Sequence, residues 1–258
     1  MVEICYILGT TRSGTSALRN ALAETKFKGP GEGHLVPLLS DILAVVHKQK
    51  TSGLGANSSG NGLFRMSEYE MGISIFLGYE RYLQKTYGSE FIIDKTPTIE
   101  PIKFSPYLNR FHSAAKFIHC ARRHIDNIIS KCRKFPEVPF DIHCREWTDC
   151  SLAWEEKKLQ LHGNFIEFDY FDLVNNVNGV SMQVANYLGL SEEERSTFSN
   201  YIGIQRAEGS NETDFGRVAR FSDVEWTDKD KIDFMRICGL RGLQVGYGLD
   251  YYFEEFKA

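Results

Sequence analysis

The sequence predicts a single α/β domain: three layers, with a parallel sheet between helices and a P-loop-type turn after its first strand. Three observations predict it. Short apolar runs at 4–8, 91–94, 115–120 and 164–168 alternate with longer stretches of helical periodicity, the signature of strands joined by helical crossovers. The first run meets Gly9 and a turn rich in glycine and hydroxyls, after which Leu18, Leu22 and Ala23 take helical spacing. The chain has 258 residues, 42% apolar and 25% charged, enough for one substantial core.

The elements follow in order. A helix is expected at 16–26, then a loop at 28–34 because Lys-Gly-Pro-Gly-Glu-Gly-His cannot hold regular structure. Leu38, Leu39, Ile42, Val45 and Val46 put one apolar face on a helix at 35–48. The glycine- and serine-rich stretch 51–63 has little to bury and reads as a flexible surface loop, with a lid over ligand as the alternative. A helix at 67–87 precedes the strand at 91–94, and Pro97 suits the first turn of a helix reaching about 112. The strand at 115–120 leads to a helix expected from 121 to 134. A proline-containing loop, a helix at 145–161 and the strand at 164–168 come next. Helices at 179–188 (stopped by Gly189), 191–201 and 227–243 complete the chain.

Composition excludes several partners. A net charge of −4 gives no global basic field, so neither nucleic acid nor an anionic membrane is expected. No run approaches the ~18 apolar residues of a membrane span, and the N-terminus runs straight into the first strand without signal-peptide regions. The six cysteines are scattered, with no Cys-x-x-Cys pair, and read as reduced thiols of a cytoplasmic protein. Neither they nor the seven histidines show zinc-ligand spacing, so no metal is expected.

The chemistry concentrates at the first turn. Strand, glycine-rich turn and helix start bring unpaired N–H groups and the helix dipole to one point, an anion cradle. Gly9 and Gly14 have the spacing of the nucleotide loop G-x-x-x-x-G-K-[ST], but Thr15 stands at the lysine position and the cation has moved to Arg12. Without that lysine, triphosphate hydrolysis is disfavoured. A donor whose single 5′-phosphate carries a second anion suits a forked arginine better.

Arg12-Ser-Gly-Thr-Ser resembles the 5′-phosphosulfate loop of sulfotransferases that use 3′-phosphoadenosine 5′-phosphosulfate (PAPS), in the arginine form of the tyrosylprotein and bacterial enzymes. Further motifs appear in the family's order. Arg122 follows a strand and Ser130 lies eight residues on, similar to the family's 3′-phosphate element. Two arginines at a helix start oppose its dipole and need an anion, with Arg123 read as the outward-facing neighbour. Lys95, in Asp94-Lys95-Thr96-Pro97, matches a lysine aimed at the transferring group. Phe168-Asp-Tyr170-Phe-Asp-Leu resembles the family's Tyr-Glu-Asp-Leu segment, and Asn186-Tyr-Leu-Gly-Leu190 its helix end. The stretch 210–220 stands where the late nucleotide-covering loop occurs, which nominates Arg217.

The resemblance implies a soluble PAPS-dependent enzyme releasing 3′-phosphoadenosine 5′-phosphate (PAP). Thr11, Arg12, Ser13, Gly14, Thr15 and Ser16 would hold the 5′-phosphate, and Arg122 with Ser130 the 3′-phosphate. Tyr170 and Arg217 would contact the nucleotide, while Arg12 and Lys95 would stabilise the leaving oxygen. A general base is required for the acceptor proton. Glu32 lies twenty residues after Arg12, as the tyrosylprotein enzymes place theirs, and His34 opens a helix, where the neutral imidazole is favoured. Both stay open as the base. His112, His119 and His124 read as structural. The acceptor, a small molecule, carbohydrate or other hydroxyl compound, would meet the segment 35–90. A P-loop kinase relative using ATP and a non-catalytic nucleotide-binding module are the alternative functions.

Overall fold

Four parallel strands make one sheet in the computed structural model, which describes residues 2–52, 62–204 and 218–254. They are β1 (Glu3–Leu8), β2 (Phe91–Lys95), β3 (Ala115–Ala121) and β4 (Ile166–Asp169), in the order β2-β1-β3-β4. The helices before β3 are α1 (Thr15–Ala23), α2 (Leu35–Ser52), α3 (Gly62–Arg65), α4 (Glu68–Tyr87) and α5 (Ile99–Phe111). After it come α6 (His124–Lys134), α7 (Phe140–Lys157), α8 (Tyr170–Asn175), α9 (Val177–Leu188) and α10 (Glu192–Ile204). A last group, α11 (Asp228–Phe234), α12 (Leu240–Gln244) and α13 (Tyr251–Glu254), includes a π-helical turn at Met235–Gly239.

The apolar run of β1 is buried on both faces, as a central parallel strand must be. Ile4, Tyr6 and Leu8 enter a core with α2, α4, α5 and α7, whereas Cys5 and Ile7 enter one with α1, α9 and α10. Three layers result. A third cluster joins α6 and α7 to the C-terminal helices through Ile125, Trp147, Phe234 and Cys238. Among the described residues no helix is long and apolar enough to cross a membrane.

Several boundaries differ from expectation: α5 starts at Ile99 beyond Pro97, α7 spans 140–157, β4 spans 166–169, and 227–243 divides into α11, a π-helical turn and α12; three others have a local reason. Helix α1 stops at Ala23 because the Thr25 hydroxyl takes the Leu22 carbonyl at 2.7 Å, and Lys28 then bridges to β2 at Ile92. The helix expected from 121 starts at His124. Ala121 is still paired with Asp169 of β4, and Arg123 has the non-helical ψ of 138°. The loop expected at 51–63 shrinks from both ends, since α2 runs through Ser52 and α3 occupies 62–65; residues 53–61 lie outside the described residues.

The topology decides where a ligand can sit. From β1 the chain moves to one side to form β2, then crosses back over β1 to form β3 and continues to β4. Connections leaving β1 and β3 therefore diverge, opening a crevice at their carboxyl ends.

Candidate functional site

The loop after β1 fills that crevice. Gly14 has a φ of 88°, and a Cβ there would meet the Tyr170 ring at 2.5 Å, so the turn needs glycine twice over. It precedes α1, whose start has no side-chain cap and no acidic residue in its first turn. The first N–H groups of α1 thus remain open to an anion. Thr15 and Ser13 are buried, Ser16 is exposed, and Arg12 itself sits at a φ of 67°. Asn127 of α6 fixes the turn by donating to the Thr11 carbonyl at 2.9 Å and reaching the Ser13 hydroxyl at 3.4 Å.

On the β3 side the distant motifs meet. Arg12 Nε donates to Ser130 Oγ at 3.0 Å, and Arg122 Nη1 donates to the Arg12 carbonyl at 2.9 Å. The Arg122 guanidinium lies 4.5 Å over the Tyr170 ring, and Trp147 Nε1 holds the Arg122 carbonyl at 2.9 Å. Neither Arg12 nor Arg122 has a carboxylate partner among the described residues, and Arg122 Nε is buried without an acceptor. Burial first, with the Arg12 charge adding to it, holds the Arg122 guanidinium below its ordinary pKa, although Tyr170 and Asp126 act the other way. This is a fit for a phosphate: two forks, one hydroxyl and one unfilled donor.

Arg123 corrects the sequence expectation. It is fully buried, not outward-facing, with Nε and Nη2 on Asp126 at 2.7 and 3.2 Å. It also donates to the carbonyls of Ala219 (2.5 Å) and Leu249 (3.0 Å). The dipole problem is solved internally for Arg123 and left open for Arg122.

On the β2 side, Lys95 is buried and donates to Glu32 Oε1 at 2.5 Å and to Ser16 Oγ at 3.2 Å. Glu32 Oε2 lies 3.2 Å from His34 Nε2, both side chains being about half exposed (46% and 60%). Burial alone would raise the Glu32 carboxyl, but the hydrogen bond and charge of Lys95, then those of His34, hold it below the usual carboxylate range. His34, at a φ of 48°, donates its backbone N–H to Thr96 Oγ1 at 2.9 Å and stands one residue before α2.

The nominated residues thus fall into two groups around one loop: Arg12, Arg122, Ser130 and Tyr170 toward β3, and Ser16, Lys95, Glu32 and His34 toward β2. Arg12 points to Ser130, away from Lys95. Arg217 lies outside the described residues. His112, His119 and His124 are buried in the frame. A cavity of about 300 Å³ lies on the β3–β4 side, lined by Ser13, His119, Arg122, Trp154, Asp169 and Tyr247. Asn127 and Asp126 escaped sequence reading, although polar residues at 126, 127, 130 and 131 beside Ile125 and Ile128 mark a helix face that is buried yet polar.

An anion cradle at the switch point of a parallel α/β sheet, with proton-carrying side chains on one flank, defines the class: a P-loop-type group-transfer protein. Residues 5–194 match the model of the Sulfotransferase family, and the chain belongs to that family. Its fold is similar to that of the sulfotransferase domain from the Synechococcus PCC 7002 olefin synthase, at 21% identity, TM-score 0.52 and 75% coverage of each chain. Sulfotransferase STF9 from Mycobacterium avium aligns at 11% identity and TM-score 0.56, over 95% of this chain and 77% of its own. None of the curated proteins matches.

Proposed function

We propose that this sulfotransferase draws its sulfuryl group from PAPS and passes it to the hydroxyl of a small molecule, carbohydrate or other acceptor. The observation that carries the donor assignment is the pair Arg12 and Arg122, without carboxylate partners among the described residues and with Arg122 Nε buried and unfilled. Nucleoside triphosphate loops put a lysine where Thr15 stands. PAPS, when bound, supplies a sulfuryl group activated by its 5′-phosphate.

The N–H groups of residues 13–16 hold the 5′-phosphate, with Thr11, Thr15 and Ser16 lining the turn. Arg122 and Ser130 grip the 3′-phosphate, Arg12 serves the 5′-phosphate loop and the leaving oxygen while its Nε holds Ser130, and Tyr170 offers its ring to the adenosine. Lys95, buried and permanently oriented by Glu32, stabilises charge on the departing oxygen. Glu32 or His34 takes the acceptor proton. The Lys95 bond lowers Glu32's readiness to do so, whereas His34 is half exposed and reachable. All six cysteines are free thiols, which supports a reducing, cytoplasmic setting.

Calorimetry with PAP against ATP tests the donor. PAP is expected to bind at least about tenfold tighter, the worth of one charge-assisted contact. Equal or tighter ATP binding would favour the kinase alternative. Comparing His34→Ala with Glu32→Ala at fixed pH identifies the base; two fully active variants would remove both residues from that role. Labelled PAPS offered with panels of phenols, sugars and aliphatic alcohols identifies the acceptor class.

A further inference from the structure

Asp94 precedes Lys95 on β2 and stands beside Tyr6 of β1 in the sheet register. Its side chain is 2% exposed. Tyr79 of α4 donates a hydrogen bond to Oδ2, while Oδ1 is buried with no partner. Leaving a buried acceptor unsatisfied costs about 1–3 kcal/mol. An apolar residue would continue Ile92 and Ile93 without that cost, so the carboxylate answers to something other than core packing.

What it touches is the turn that carries both base candidates. A Cβ on Gly33 would lie 2.8 Å from Asp94 Oδ1, so the turn settles against the carboxylate only as glycine. The same turn is fastened to the next two residues of the strand end. Gly33 N–H donates to the Lys95 carbonyl at 3.0 Å, His34 N–H to Thr96 Oγ1 at 2.9 Å, and Lys95 holds Glu32. Residues 94–96 form one continuous seat for 32–34, and Asp94 is the member with an unpartnered oxygen.

We propose that Asp94 is a positioning residue: its buried carboxylate seats the Gly33 turn, and its negative charge stabilises the imidazolium formed when His34 accepts a proton. The catalytic consequence rests on the sulfuryl-transfer function above; the coupling between the two side chains does not. In the step concerned, the acceptor O–H bond breaks, its proton bonds to an imidazole nitrogen of His34, and the oxygen's electron pair goes to the incoming sulfur, while the bond from sulfur to the donor's 5′-phosphate oxygen breaks and its electron pair leaves with PAP. Asp94 keeps its charge throughout.

The surroundings allow this. Tyr79 and Tyr87 face Asp94 from α4, Tyr6 from β1 and His34 from the turn, with Glu80 of α4 acting on Tyr6. Burial first, and the Asp94 charge after it, push the Tyr6 and Tyr79 phenols well above their ordinary value, so both remain protonated. Glu80 is tied to His112 at 3.1 Å. Burial raises the Asp94 carboxyl to about 6, with the Tyr79 hydrogen bond and the His34 charge pulling it down. It is therefore charged at neutral pH, and the His34 side chain is among the charges that act on it.

The test needs neither donor nor acceptor. Imidazole NMR spectra of the full chain are followed against pH, with His34 assigned by its loss in His34→Gln. In Asp94→Asn the His34 midpoint should fall by about half a pH unit, a roughly threefold weaker hold on the proton. Tyr79→Phe, which leaves the carboxylate but makes it easier to protonate, should move the midpoint the same way by less. Glu32→Gln serves as the positive control. A His34 midpoint unchanged in both Asp94→Asn and Tyr79→Phe overturns the proposal. Should Asp94→Asn lose its folded spectrum, Tyr79→Phe decides alone. PAP affinity should be the same in wild type and Tyr79→Phe, and a wild type that binds no PAP would strike the donor assignment while leaving this coupling intact.

Discussion

The two sides of the crevice hold charge in opposite ways. Toward β3, Arg12 and Arg122 come from segments 110 residues apart; Arg122 donates to the Arg12 carbonyl, Arg12 to the Ser130 hydroxyl, and neither has a carboxylate partner among the described residues. Toward β2, Lys95 has its own counter-ion in Glu32, and Glu32 its own contact in His34. One side leaves its counter-charge to be supplied by a ligand. The other supplies its own, through the contacts of Glu32 with Lys95 and His34. The forked guanidiniums suit the binding of a phosphate.

The contrast is sharpest between neighbours. Arg123→Ala should cost about 3–5 kcal/mol of stability, read by urea unfolding, because Asp126 is left buried and unpaired. Arg122→Ala should cost less than about 1 kcal/mol by the same measure. Similar losses would mean that Arg122 is structural too. Next in size, Lys95→Ala should lower kcat by about 10²–10³-fold with PAP affinity nearly intact, as for loss of one donor to developing charge. Arg122→Ala should do the reverse, weakening PAP by about 10–100-fold in calorimetry while kcat at saturating donor changes little. Exchanged phenotypes would break the division between the two sides.

Acid should separate the same two regions. His119 lies in β3 and His124 opens α6, on either side of Arg122 in the chain, and burial holds both imidazoles down to about 3. Below about pH 6.5 the unfolded chain takes up protons there and the folded chain does not, so each costs about 1.4 kcal/mol per pH unit as pH falls. Asp94, beside Lys95, is raised to about 6 and works the other way between its ordinary 3.8 and that value. Unfolding midpoints at pH 7, 6 and 5 should therefore decline, and His124→Phe should reduce the slope; a flat profile would deny that both imidazoles stay neutral. Smallest of all, Ser130→Ala should weaken PAP by about two- to tenfold, one neutral hydrogen bond, without altering kcat.

Much of this was legible beforehand because it is local. The strand–turn–helix of 4–23, the displaced cation at Arg12, the paired Arg122 and Ser130 and the stop at Gly189 are each specified within a few residues, where spacing and backbone preference act directly. Arg123 was misjudged because Asp126, Ala219 and Leu249, which bury it, include partners about a hundred residues away. Asp94 drew no reading of its own, yet the strand's alternation sends it to Tyr79 on one face and Lys95 to Ser16 on the other.

By itself, then, the sequence determined an α/β chain with an anion loop, a second arginine element and two base candidates, since each rests on short-range pattern. Only the tertiary structure decided their grouping. By ordering the strands β2-β1-β3-β4, it set β1 between its two partners. Arg12 was thereby turned toward Ser130 and Arg122, and Lys95 toward Glu32 and His34. That division follows from which strand lies on which side of the loop, a relation no stretch of sequence contains.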